Sequence, residues 1–299
     1  MLNYISKILL LLVLVISMGL KPPTHNIALL QKYGADEMRE MGCDTMAHVI
    51  FWRKIMNLHH DSCLINVHGC RKVLTTYPAV NWNTHSVNQR LSIADSLRRL
   101  SGIYDSSRVV GTMGKRFFYA FEKVAPKVPL GIEAFEKNNV NGWYAKAILL
   151  IESPNQLQKS TAGAYGPFQL MKGVARSYGL KVNKKTDERA NFNRSAYAAS
   201  QLIKTTCIPY TKLMLDARGI TYSEDDLWFR LMVMHVYNAG AGNVSMALNT
   251  IQQPALGMGL IKQLWTTSAG RFQTSSQNYS QLVLAAFLEY DERVDKKRK

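Results

Sequence analysis

The chain has 299 residues, 47% of them apolar, and carries 37 Lys and Arg against 21 Asp and Glu, a formal net charge of +16 with a pI near 9.7. That apolar content argues against a disordered chain, and the length suits one or two domains. The basic surplus points to an anionic partner (nucleic acid, acidic lipid or acidic polymer) or to a solvated basic surface, yet no zinc-finger spacing, RNP-type aromatic motif or P-loop supports nucleic acid.

At the N-terminus Lys7 precedes an apolar run, residues 8–16, followed by Ser17-Met18-Gly19. Charged, apolar, then small is the order of an export signal. The run is shorter than the ~20 residues that a spanning helix needs. Residues 1–20 therefore read as a signal peptide, with an N-terminal anchor and membrane association as the alternative. Either way the chain is expected in the periplasm or cell envelope. No cysteine precedes Cys43, which argues against a lipid-modified cysteine at the cleavage point.

Pro22-Pro23 mark a linker to about residue 32. Residues 33–74 read as helical, with Met46, Val49, Ile50 and Ile55 near helical spacing. Cys43, Cys63, Cys70 and Cys207 permit disulfides in an exported chain, and Cys63 and Cys70 are close enough in sequence to bridge a small loop. His59, His60 and His68 sit nearby, but Cys63-x6-Cys70 fits no common zinc pattern, so neither a metal nor a cofactor is expected. Tyr77-Pro78 breaks this stretch, residues 92–100 resemble a short amphipathic helix, Gly111 to Gly114 marks a turn, and Pro126 and Pro129 punctuate the chain. Residues 21–130 thus form a helical N-terminal region of unassigned role, braced by its cysteines.

The second region, residues 131–295, is more informative. Residues 143–151 (WYAKAILLI) predict an apolar helix buried on most sides, stopped by Pro154 just after Glu152-Ser153. A small-residue loop occupies 160–166, and Pro167 is read as opening another helix through Gln169, Met171 and Val174. Further helices are expected over 196–205, 227–237 and 280–287. Strand-like alternation is scarce, so the fold class is mainly α.

Glu152 stands out on physical grounds. It follows five apolar residues, Ala147 to Ile151, and desolvation there raises a carboxyl pKa. The negative end of the helix dipole pushes the same way. A carboxyl kept protonated near neutral pH is what a general acid requires, although a carboxylate merely ending a helix at the surface would look the same. The next 34 residues contain no Asp or Glu, and Asp187-Glu188 is the only acidic pair before Asp216. Two-carboxylate glycosidases set their acids ~5–10 Å apart. The sequence suggests instead a single-carboxylate design, with Asp187 the nearest candidate helper. Residues 153–218 hold 11 Lys and Arg against three acids, a basic rim suited to acidic glycan.

Three ordered motifs carry a resemblance. Glu152-Ser153, then Ser160-x-Ala162-Gly163-Ala164-x-Gly166 and Gln169-Leu170-Met171, resembles the signature of the soluble lytic transglycosylase (SLT) family. Val236-Tyr237-Asn238-Ala239-Gly240-Ala241-Gly242-Asn243-Val244 is similar to its second motif, and Asn278-Tyr279 to its third. The departures fall on the loop after the acid, where Pro154-Asn155-Gln156-Leu157 replaces the usual aromatic or leucine and Asn-Pro, and Gly166-Pro167-Phe168-Gln169 replaces Gly-Leu-Met-Gln. The resemblance implies a lysozyme-like, goose-type helical domain acting on peptidoglycan glycan strands. Glu152 would be the sole acid/base, cleaving the bond between N-acetylmuramic acid and N-acetylglucosamine and leaving a 1,6-anhydro end. Ser160, Gly163, Ala164, Gln169, Met171, Tyr237, Asn238 and Tyr279 would bind substrate or orient the acid. Two other readings stay open: a muramidase-type hydrolase on the same scaffold, and a non-catalytic wall-binding protein.

Overall fold

The computed structural model describes residues 24–104, 106–152 and 159–295. The expected leader (1–20) and the Pro154 helix stop lie outside the described residues. The chain is mainly helical, as its apolar periodicity predicts, but its first third is built around a small sheet.

Helix α1 (Thr24–Lys32) leads, followed by α2 (Ala47–Asn57), which buries Val49, Phe51, Trp52, Ile55 and Met56. Next come β1 (Ser62–Val67) and β2 (Val73–Pro78), then α3 (Val87–Leu100) and β3 (Val109–Met113). The strands form an antiparallel sheet of order β2-β1-β3. A capping box starts α3: the Gln89 amide donates to Ser86 Oγ at 3.3 Å and the Ser86 amide to Gln89 Oε1 at 2.8 Å, satisfying two N–H groups that the helix itself leaves unpaired.

The sheet corrects the expectation of helix throughout 33–74. Central strand β1 is covered on both faces: Leu64 joins the main core, while Cys63 and Ile65 pack with Trp82 in a second cluster. A strand buried on both faces loses its alternation and reads as a continuous apolar run, like a buried helix. The cysteine brace is corrected too, because all four thiols are free. Cys63 lies opposite Tyr77, and the ~13 Å of strand from Cys63 to Val67 separates it from the turn that holds Cys70. A disulfide needs Cα atoms within ~7 Å.

From Val128 onward the α-helices are α4 (Val128–Lys137), α5 (Gly142–Glu152), α6 (Lys172–Ser177), α7 (Phe192–Leu202), α8 (Ile208–Asp216), α9 (Leu227–Ala239), α10 (Ala241–Thr250), α11 (Met258–Leu264) and α12 (Thr274–Tyr290). Helix α5 is the axis. Every residue from Gly142 to Ile151 is buried, because α4 and α12 pack against it. Gly131 permits the α4 approach, since a Cβ there would lie 2.7 Å from Leu149 Cδ1. Lys146 is buried as well. Its Nζ donates to the Tyr33 carbonyl at 2.9 Å and lies over the Phe287 and Tyr290 rings at 5.2 and 4.8 Å, so its charge is held by a carbonyl and two ring faces.

Helix α12 touches α2, α5 and α9, and the main apolar core runs from Leu29 to Val294. It begins at Thr274, so Asn278 and Tyr279 lie within the helix rather than ahead of it. The helix expected from Pro167 does not start there. Tyr165 and Leu170 pair as a bridge, Gln169 is left-handed (φ 45°), and α6 begins only at Lys172.

Candidate active site

Glu152 ends α5 with its carboxyl against α12, where Tyr279 Oη donates a hydrogen bond to Oε1 at 2.7 Å. Burial raises the carboxyl from 4.5 to about 7, and the Tyr279 hydrogen bond opposes that rise. The helix C-terminus adds to the disfavour for a carboxylate. The residue keeps partial exposure. A desolvated yet reachable acid, half protonated near neutrality, can both give and take a proton. Among the described residues no second carboxylate contributes to its titration.

Three tyrosines belong to the same surroundings. The Tyr279 and Tyr237 hydroxyls are pushed well above their ordinary range, first by burial and then by the charge of Glu152. Tyr119 is raised by the same two causes in the same order. All three therefore stay protonated as neutral donors. Tyr237 donates to the Phe168 carbonyl at 2.5 Å, fastening the 160–171 loop to α9.

That loop is built from inside. The Ser160 amide donates to the Ala164 carbonyl, and the Gly163 amide to the Ser160 carbonyl, each at 2.9 Å. Ser160 Oγ accepts from the Ala164 amide at 2.9 Å, so its hydroxyl caps the turn. Gly163 sits at φ +90° with open space where a Cβ would stand, so it is needed for its conformation rather than for room. Gln169 donates from Nε2 to the Gly166 carbonyl at 3.0 Å. Met171 is 46% exposed and stands just before the first residue of α6. Asn238 is exposed and accepts from Ser276 Oγ at 3.1 Å, tying the end of α9 to α12.

Asp187 serves the loop. Its carboxylate takes two hydrogen bonds from the Arg189 guanidinium, Nε to Oδ1 at 2.9 Å and Nη2 to Oδ2 at 2.7 Å, and Arg189 holds its pKa below the usual carboxylate range. The buried guanidinium also donates from Nη1 to the carbonyls of Gly163 and Leu170, both at 2.9 Å. This clamp closes 163–170 into a turn, which is the physical reason a helix does not begin at Pro167. Asp187 is therefore engaged as a brace, not available as a helper acid.

The structure thus brings Tyr279 and Tyr237 to Glu152, and gathers Ser160, Gly163, Ala164 and Gln169 in the clamped loop. Sequence reasoning missed Arg189 and Tyr119. Arg189 directly follows the lone acidic pair of a basic segment, a signal that could have marked a carboxylate–guanidinium brace. Tyr119 carried no local signal. Among the described residues no group of three or more His, Cys, Asp or Glu could hold a metal ion.

Residues 129–255 match the family model of the transglycosylase SLT domain, and no curated protein matches the chain. The matched segment contains Glu152, the clamped loop, Tyr237 and Asn238, while Tyr119 and Tyr279 lie on either side of it. The matched stretch, under half of the chain, is similar to an SLT domain and is mainly helical.

Proposed function

We propose that the SLT domain of residues 129–255 makes this chain a peptidoglycan lytic transglycosylase with Glu152 as its only acid/base. The carboxylic acid of Glu152 donates its proton to the glycosidic oxygen between N-acetylmuramic acid and N-acetylglucosamine, and the C1–O bond breaks. The carboxylate left behind then takes the proton of the muramyl C6 hydroxyl while that oxygen bonds to C1. The proton returns to Glu152, no water is consumed, and a 1,6-anhydro end results. The observation that carries this reading is an acid near pH 7 with one tyrosine donor and no carboxylate partner among the described residues. A two-carboxylate mechanism would need its second acid within ~5–10 Å.

Tyr279 steadies the carboxylate form for the second step, and its neutral hydroxyl leaves the charge balance untouched. The clamped loop of Ser160, Gly163, Ala164, Gln169 and Met171, with Tyr237 and Asn238, forms the glycan-facing wall. The apolar run of residues 8–16 and the location of the substrate support an exported enzyme of the periplasm or envelope.

Mass analysis of fragments released from purified murein tests the proposal. Anhydromuramyl ends are expected, and Glu152→Gln is expected to abolish release while keeping the native circular dichroism. Reducing ends would make the enzyme a muramidase-type hydrolase. Full clearing by Glu152→Gln would refute the assignment of the acid.

A further inference from the structure

A cavity of about 300 Å³ lies where the β1–β2 turn and α2 meet α12, lined by His48, His68, Arg71, Arg108, Gln277 and Gln281 among others. Gln277 and Gln281 are four residues apart and share a face of α12. Tyr279, two residues from each, points the other way, to Glu152. The cavity therefore lies across α12 from the acid, and four of those six residues precede the SLT domain.

Its distinctive feature is Arg71, which is only 6% exposed. The guanidinium lies over the rings of Phe51 and Trp52 at 5.1 and 5.5 Å. Nη2 donates to Asn278 Oδ1 at 2.7 Å and Nη1 to Asn66 Oδ1 at 3.4 Å. Both acceptors are neutral amides, and among the described residues no carboxylate pairs with Arg71. Burial alone displaces its titration. The charges that reach the cavity histidines are all positive. After burial, Arg71 and Lys262 depress His48, and Arg71 and Arg108 depress His68. Arg71 also holds a left-handed backbone (φ 59°), a conformation that non-glycine residues adopt at a cost. A guanidinium removed from water with no counter-charge is expensive, and an arriving anion would supply the missing partner through charge-assisted hydrogen bonds.

We infer that this cavity is a second binding site, taking the carboxylate of a short peptide on Arg71 with Arg108 at its rim. The volume lies at the lower end of the ~300–1,000 Å³ typical of ligand sites, enough for one or two residues but not for a glycan strand. The choice of a peptide carboxylate rests on the murein substrate proposed above, whose acidic stem peptides repeat along the strand. The site would hold a stem peptide on one side of α12 while glycan occupies the other.

Calorimetric titration of the full chain with free stem peptide tests the inference, with inorganic phosphate as a second probe. Stem peptide should bind, and Arg71→Gln should weaken it at least tenfold. Arg108 is exposed, so Arg108→Gln leaves the fold intact and should weaken binding about threefold or more even where Arg71→Gln misfolds. Undetectable peptide binding, equal affinity in wild type and Arg108→Gln, or phosphate binding in place of the peptide would each overturn it. Release of fragments from peptide-free glycan by the wild type, and its loss in Glu152→Gln, reports on the catalytic proposal separately. Failure of the peptide site is therefore distinguishable from failure of the catalytic proposal.

Discussion

Replacing Tyr279 by Phe removes one hydroxyl and keeps the ring, so the packing of α12 is retained while Glu152 loses its only hydrogen-bond donor among the described residues. The donor favours the carboxylate, against burial, in setting the titration at about 7. A hydrogen bond to a charged group contributes ~1.5–3 kcal/mol, and one pH unit corresponds to ~1.4 kcal/mol. The Glu152 pKa should therefore rise by about 1–2 pH units in Tyr279→Phe. In the proposed mechanism the protonated acid starts the reaction, so activity falls as pH rises through that pKa. Initial rates of fragment release from purified murein between pH 5 and 10 should show an alkaline limb near 7 in wild type and a limb displaced upward in the variant. A limb that stays in place while the rate falls would reduce Tyr279 to a packing role. A limb that moves downward would refute the electrostatic reasoning outright.

Three further outcomes follow from the same structure. The folded-state pKa of Glu152 lies above its ordinary 4.5, so the folded chain binds the extra proton and loses stability as pH rises from about 4.5 through about 7; Glu152→Gln should remove that penalty, gaining up to about 3 kcal/mol at pH 8 and almost nothing at pH 4, read by urea unfolding at both. Gly166 sits at φ +87°, and a Cβ there would stand 1.9 Å from the Arg189 carbonyl oxygen, so Gly166→Ala should cost about 3 kcal/mol or more in the same unfolding assay. Cys70 is exposed, whereas Cys43, Cys63 and Cys207 are buried with thiols raised by burial, Cys43 to about 11. An aromatic disulfide reagent should therefore titrate one thiol in the native chain and four after unfolding.

Helix α5 was legible because its apolar run is continuous over the length of a helix and carries one carboxyl at its end. Strand β1 was not, since an apolar run covered on both faces has the same pattern as a buried helix and is separated from it only by length and tertiary partners. The 160–171 loop illustrates a different limit. Local preference places a proline at the start of a helix, but Arg189 draws the carbonyls of Gly163 and Leu170 together across 19 and more residues of chain, and local preference yields to that buried guanidinium. Tyr279 was legible as a motif residue, but its setting inside α12 rather than before it required the packing partners to be seen.

Those partners explain why an acid in the segment that matches the SLT model depends on residues outside it. Three consecutive residues of α12 are gripped from three directions. Arg71, in the β1–β2 turn, donates to Asn278. Tyr279 donates to Glu152. Ser280 Oγ meets His235 Nε2 at 2.9 Å and accepts from Trp265 Nε1 at 2.8 Å. Burial pushes His235 down to about 4, so that grip stays neutral over the range in which Glu152 titrates. Farther along the helix, Trp52 Nε1 donates to Gln281 Oε1 at 2.9 Å, and Arg53 Nε and Asn57 Nδ2 each donate to Glu289 at 2.7 Å. Tyr279 can tune Glu152 only if its hydroxyl stays within hydrogen-bond reach, and a displacement of about 1 Å forfeits most of that interaction. The helix–sheet region upstream of the matched segment, through α2 and Arg71, supplies one side of the vice that prevents such a displacement. Its sequence reads as an appendage, but its contacts make it part of the machinery that sets the acid.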